Sequence, residues 1–168
     1  MHTKQLDIFE FSLKNQNHQD KSQLYIDGAS RSNPGPAGAG IYLKSGSKVV
    51  MHQGFFLGNK TNNQAEYAAF LIGIYYIYQC NMQNTHITIY SDSLLLVQQI
   101  MRKYKVKNEV LKHLFSLADR YFNQLPHVSI QHIRREYNTE ADAAANKGID
   151  MKQPVPKDFF IFFNIDIL

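Results

Sequence analysis

The run Leu24-Tyr25-Ile26-Asp27-Gly28-Ala29-Ser30, followed by Arg31-Ser32-Asn33-Pro34-Gly35-Pro36-Ala37-Gly38, decides how this chain is read. Leu24-Tyr25-Ile26 predicts a short strand that ends on a carboxylate at Asp27-Gly28, and the stretch after it is dense in turn formers. Strand candidates near 39–44 and 48–57 follow, with Ser45-Gly46-Ser47 between them as a hairpin turn. Residues 63–80 predict a helix packed on a sheet, with Asn62 or Asn63 as its N-cap. Ile87-Thr88-Ile89-Tyr90 is a strand ending at Ser91-Asp92. Residues 93–102 and 108–123 read as helices, 128–133 as a strand and 140–147 as a helix. The order β-β-β-α-β-α-α-β-α predicts an α/β fold with a mixed sheet flanked by helices.

Composition narrows the class. The chain has 168 residues, 44% of them apolar, which suffices for one domain with a real core and argues against disorder. A single cysteine, Cys80, excludes a disulfide scaffold. The longest apolar run, Tyr67 to Tyr78, is 12 residues broken only by Gly73. A bilayer span needs about 20, so the run reads as a buried helix. No signal-peptide core follows Met1, and the expectation is a cytoplasmic protein without a membrane segment. Three segments are expected: a peptide and polar linker over 1–22, a body over 23–148 and an aromatic tail over 149–168. In the tail, Phe159-Phe160-Ile161-Phe162-Phe163 is expected to pack onto the body.

Four acids stand apart from the solvated ones. Asp27 and Asp92 end strands, Glu66 lies one turn into the apolar helix between Ala65 and Tyr67, and Asp142 opens the last helix. Like charges gathered at one site raise each other's pKa. A hard divalent cation with oxygen ligands removes that cost. Two such ions about 4 Å apart activate water and stabilise a leaving oxygen.

These residues fall in four blocks: Tyr25-Ile26-Asp27-Gly28-Ala29-Ser30 with Asn33-Pro34-Gly35; Thr61-Asn62-Asn63-Gln64-Ala65-Glu66; Tyr90-Ser91-Asp92-Ser93; and Arg135-Glu136-Tyr137-Asn138-Thr139-Glu140-Ala141-Asp142. In order and spacing they resemble ribonuclease HI, in its compact bacterial-type form without a basic protrusion. The resemblance implies a five-stranded mixed sheet and hydrolysis of the RNA strand of an RNA–DNA hybrid, with 5′-phosphate and 3′-hydroxyl products. It implies that Asp27, Glu66, Asp92 and Asp142 hold two Mg²⁺ or Mn²⁺ ions, with Asp27 touching both. It places Gly28, Ala29, Ser30 and Gln64 on the RNA strand, and Asn62 and Asn63 on base edges or sugars. Thr61 and Asn63 would hold a DNA-strand phosphate, and Arg135 and Asn138 complete the expected nucleic-acid contacts. The small side chains of 28–30 suit close backbone approach, and the 2′-OH is what separates RNA from DNA.

The chain departs from the fuller family pattern in two places. His132 is expected within the last strand, which leaves Arg134 or Arg135 in the loop where many relatives carry a histidine; His113 and His127 are expected to be no ligands. Arg102-Lys103-Tyr104-Lys105-Val106-Lys107 replaces the protrusion, predicting weaker hybrid binding with a shallower salt dependence. At the start, Gln5-Leu6-Asp7-Ile8-Phe9 resembles the pentapeptide by which bacterial proteins dock on the DNA sliding clamp, tethered by residues 14–22. Two rival functions stay open here, a catalytically silent module of the same fold and a metal nuclease acting on DNA structures. A monomer is expected. The net charge of +4 also sharpens: residues 23–148 carry 13 Lys and Arg against 8 Asp and Glu, and four of those eight acids are the candidate ligands. With those four neutralised by cations, the surface left to a polyanion is more basic than the total suggests.

Overall fold

A computed structural model describes residues 21–165; residues 5–9 and residues 14–20 of the expected linker lie outside them, and Ser22, its last residue, instead opens the first strand. Strands β1 (Ser22–Ser30), β2 (Gly35–Ser45) and β3 (Lys48–Lys60) form an antiparallel meander. Helix α1 (Asn62–Gln79) follows, then β4 (Ile87–Ser91), α2 (Leu94–Ile100), α3 (Glu109–Phe122) and β5 (Val128–His132). A 3-10 turn (Arg135–Tyr137) leads into α4 (Thr139–Met151), and α5 (Lys157–Phe163) closes the described chain. The sheet order is β3-β2-β1-β4-β5, with β4 parallel to both β1 and β5. The expected five-stranded mixed sheet with flanking helices is therefore what forms.

The two faces of this sheet are built differently. Leu24, Ile26, Ile41, Leu43 and Ile89 are fully buried on one face, against α1. Helix α1 buries 12 of its 18 residues, because α3 covers its far side, and so it is apolar nearly all round. On the other face, α4 lies on β2 and β3 with almost no side chain between them. A Cβ added to Gly40 would sit 1.9 Å from the Ala141 carbonyl oxygen, and one on Gly54 would sit 1.7 Å from that of Ala144. Only glycine opposite alanine allows helix and sheet backbones this close.

That packing explains where the expected boundaries move. The turn-rich stretch 31–38 bends only through residue 34, because Gly35 to Gly38 belong to β2, where Gly38 takes the backbone of Ala145. β1 runs on through Ser30, since Gly28 and Ala29 pair with Ala39 and Gly38. The N-cap of α1 is Thr61 rather than Asn62 or Asn63. Its hydroxyl accepts from the Gln64 amide and its own amide donates to Gln64 Oε1. The boundary drawn at 148 falls inside α4, and the aromatic run beyond it packs on the body, with Phe159 and Phe163 buried. His132 closes β5. Among the described residues, no helix is long and apolar enough to cross a membrane.

Candidate active site

Parallel pairing of β1 with β4 puts Tyr25 level with Tyr90. Continued two residues on, the same register brings Asp27, within β1, level with Asp92, one residue past the end of β4. Asp27 also pairs with Gly40, whose missing side chain faces α4, so Asp27 points to the α4 side. Glu66 arrives from the first turns of α1. That helix reaches β1 only because residue 28 is glycine: a Cβ there would meet the Glu66 amide nitrogen at 2.1 Å. In this contact the Gly28 N–H donates to Glu66 Oε2 at 3.2 Å. The small residue expected to admit RNA thus admits a helix. One carboxylate oxygen from each of Asp27, Glu66 and Asp92 lies within 4.8 Å of the others.

Asp142 stands outside that group of three. It lies in the first turn of α4, where Arg135 donates to its Oδ1 at 2.9 Å and the Asn146 amide to its Oδ2 at 3.3 Å. Asn138 occupies the position just before α4, yet its side chain does not cap the helix. Its amide donates to the Ile26 carbonyl at 2.9 Å and to Asp92 Oδ1 at 3.1 Å. It is 1% exposed, and its side chain serves here as a brace between β1 and Asp92.

Burial governs the electrostatics. Burial, then the charges of Asp92 and Asp142, push the Asp27 carboxyl from its ordinary 3.8 up to about 7. Glu66 is driven well above its usual range, by burial first and by Asp27 and Asp92 next. The Gly28 N–H and the Arg135 guanidinium oppose that rise without cancelling it. The site therefore concentrates more negative charge than its own protein neutralises. It opens to solvent through a cleft of about 280 Å³ lined by Ala29, Ser30, Arg31, Asn62, Arg135 and Asn146 besides the three acids.

The comparisons place this arrangement. Residues 25–148 match the reverse transcriptase-like family. Ribonuclease HI of Halobacterium salinarum is 35% identical over 127 residues, covering 75% of this chain and 63% of that protein. Its crystal structure superposes with a TM-score of 0.73 at 33% identity, over 78% of this chain and 98% of that one. The chain belongs to the ribonuclease H family. A bifunctional protein of Mycobacterium tuberculosis is 33% identical over 132 residues, 77% of this chain but 36% of its own length, so the chain spans about a third of that relative. A ribonuclease H1 isolated from compost, crystallised with an RNA/DNA hybrid, superposes with a TM-score of 0.72 at 30% identity, over 77% of this chain and 97% of that one.

In this ribonuclease H chain, the other residues singled out from sequence divide by exposure. Asn62 and Asn63 are exposed at the start of α1, and the Asn62 amide donates to Asn33 Oδ1 at 3.1 Å. Thr61 and Gln64 are committed to each other as a helix cap. Ser30 is engaged as well, its hydroxyl donating to the Lys60 carbonyl at 2.9 Å, which holds the end of β3 beside β1. Arg135 reaches from solvent to Asp142, with its side chain 80% exposed. In the basic loop, Arg102 is taken by Asp119 at 2.8 Å, leaving Lys103, Lys105 and Lys107 exposed. Sequence reasoning missed the Asn138 brace, Asn146, and a buried bond from the Tyr67 hydroxyl to Gln99 at 2.8 Å. A polar residue inside an apolar helix was the available signal for Gln99. The donor set fits the divalent cations of the family, because two buried carboxylates and a partly buried third offer hard oxygens that lack a full protein counter-charge.

Proposed function

We propose that this chain hydrolyses the RNA strand of RNA–DNA hybrids, using two Mg²⁺ or Mn²⁺ ions held by Asp27, Glu66, Asp92 and Asp142. The observation that carries the reading is the convergence of Asp27, Glu66 and Asp92 within 4.8 Å at a solvent-open cleft. A silent binding module has no use for it, since desolvated acids that repel one another cost stability when nothing binds them. When bound, the ions supply an activated water and stabilise the departing 3′ oxygen, leaving 5′-phosphate and 3′-hydroxyl ends. The protein's own part is to hold the ligands in place. Gly28 fixes Glu66 through its N–H, and Asn138 fixes Asp92 against β1. Ala29, Ser30, Asn62 and Asn63 line the approach and take the RNA strand. Thr61 and Gln64 act by shaping the helix start that presents Asn62 and Asn63. Arg135, a solvent-facing cation at the rim, takes a phosphate.

The hybrid reading is favoured over DNA structures by the solved compost relative with an RNA/DNA hybrid. The biological substrates would be primers or R-loops in the cytoplasm, cut by a monomer, with residues 5–9 docking on a sliding clamp. The deciding assay offers end-labelled hybrid, duplex RNA and duplex DNA to the full chain, in Mg²⁺ and in chelator. The expected result is Mg²⁺-dependent cutting of the RNA in the hybrid alone. An intact hybrid after incubation with a folded chain, or equal cutting of duplex DNA, overturns the proposal.

A further inference from the structure

Helix α4 covers only part of its face of the sheet. Beyond its N-terminal end a row of side chains crosses all five strands in register: His52, Tyr42, Tyr25, Tyr90 and Gln131. Their even spacing from Asp27 and Gly40 puts them on the α4 side. Neighbouring rings along the row lie 5.0 Å apart (His52–Tyr42), 5.9 Å (Tyr42–Tyr25) and 5.0 Å (Tyr25–Tyr90). The three tyrosines are half-buried and His52 is exposed, whereas on the opposite face of β1, β2 and β4 Leu24, Ile26, Ile41, Leu43 and Ile89 are fully buried. Beside this row runs a polar one of Lys44, Gln23, Thr88 and Ser129, again in register. Lys44 Nζ stands 5.8 Å from the Tyr25 ring centre, which confirms the shared face. Neither row contains an acid; Glu140 meets the outer end at His52, 3.5 Å away.

We infer that this open face is a second nucleic-acid surface, which stacks the unpaired bases of single-stranded RNA extending from the cleft. Flat aromatic rings at successive strand positions are a sequence-tolerant platform for bases, and Lys44 supplies charge complementarity for the backbone. The surface is continuous with the carboxylates. Tyr25 and Tyr90 precede Asp27 and Asp92 by two residues on the same strand faces, about 7 Å along each strand. The choice of RNA rests on the proposed function, which puts the RNA strand at those carboxylates. It is supported by the hydroxyl and amide groups of Gln23, Thr88 and Ser129, which suit a 2′-OH. Thr88 and Ser129 already lie 3.5 Å apart across β4 and β5.

The test measures anisotropy of labelled U12 and dU12 with the full chain in chelator, which prevents cleavage. Two double variants are compared, Tyr42→Val with Tyr90→Val, and Tyr42→Phe with Tyr90→Phe; valine keeps strand propensity and phenylalanine keeps the ring. The expectation is that U12 binds more tightly than dU12, that the valine pair weakens U12 by about tenfold per ring removed, and that the phenylalanine pair stays within about twofold. Both pairs should cut blunt hybrid as the parent does, so the activity and this surface can fail independently. Unchanged U12 binding in a valine pair with native melting temperature overturns the inference, as does equal affinity for dU12. Binding that appears only in a chain starting at Lys21 gives the face to residues 1–20 and overturns it too. So does self-association of the parent that the valine pair abolishes, which gives the face to a second copy.

Discussion

Asp27 and Asp142 carry the same side chain on facing elements, yet the protein treats them differently. Asp27 is 5% exposed, shares its surroundings with Glu66 and Asp92, and meets no cation directly among the described residues. Asp142 keeps a side chain 30% exposed and is matched by Arg135 and Asn146. The inner acids are neutralised by a proton or an external cation rather than by a neighbouring side chain, while the outer acid is already matched by Arg135. Depth, not residue type, separates an acid without a counter-charge from one matched by its own chain.

The sharpest way to break this contrast is substitution at both positions. Asp27→Asn should cost at least about a thousandfold in hybrid cleavage, since it removes the proposed central ligand. Asp142→Asn should cost less, about ten- to a hundredfold, and be partly offset by raised Mg²⁺ or Mn²⁺. Metal titrations of the cleavage rate check the pair; equal losses, or a larger one at Asp142, would erase the distinction between inner and outer acids.

Next in size is the dependence of stability on pH without metal. The folded Asp27 carboxyl has its pKa raised from 3.8 to about 7, so the folded state favours the protonated form. Its contribution is fully present below pH 3.8 and is lost as pH rises towards about 7. Glu66, shifted the same way, adds to that loss. In chelator, the melting temperature should therefore fall between about pH 4 and 7 by an amount equivalent to a few kcal/mol. Mg²⁺ at neutral pH should restore it, and Asp27→Asn should flatten the fall. Calorimetry across that range decides, and a metal-free protein most stable at pH 7 would contradict the site's electrostatics.

The smallest effect belongs to Arg135. Its loss releases Asp142 and removes a cation that eases the crowding on Asp27 and Glu66. Arg135→Ala should raise KM for hybrid about two- to fivefold, because an exposed cation contributes modestly. It should also lower the Mg²⁺ concentration needed for half-maximal rate. A higher Mg²⁺ requirement would mean that Arg135 orients a ligand rather than competing with the metal.

Much of the site was legible because acids at the ends of apolar strands have few structural reasons to be there. Asp27 and Asp92 announced themselves in this way, and Glu66 as an acid between apolar residues inside a helix. The helices were legible from their caps and apolar runs, although Thr61 outbid both asparagines as N-cap through its reciprocal bonds with Gln64. Glycine was the less legible residue. Gly28 looked like room for a ligand and Gly35 to Gly38 like a turn, because local sequence cannot tell a glycine that bends from one against which a distant helix is pressed. Asn138 failed for the same reason: a polar residue before a helix reads as a cap or a contact until the fold places Ile26 and Asp92 within its reach.

By itself the sequence determined the α/β class, the five strands, and the acids that matter, since periodicity and residue chemistry are local properties. Tertiary structure alone decided which three carboxylates meet and which one is held back by Arg135. It also decided that small residues on β1, β2 and α4 serve backbone contact, and that tyrosines two residues before Asp27 and Asp92 line up across an open sheet. These are relations between strands and helices far apart in the chain, set by register and by how closely two backbones can approach.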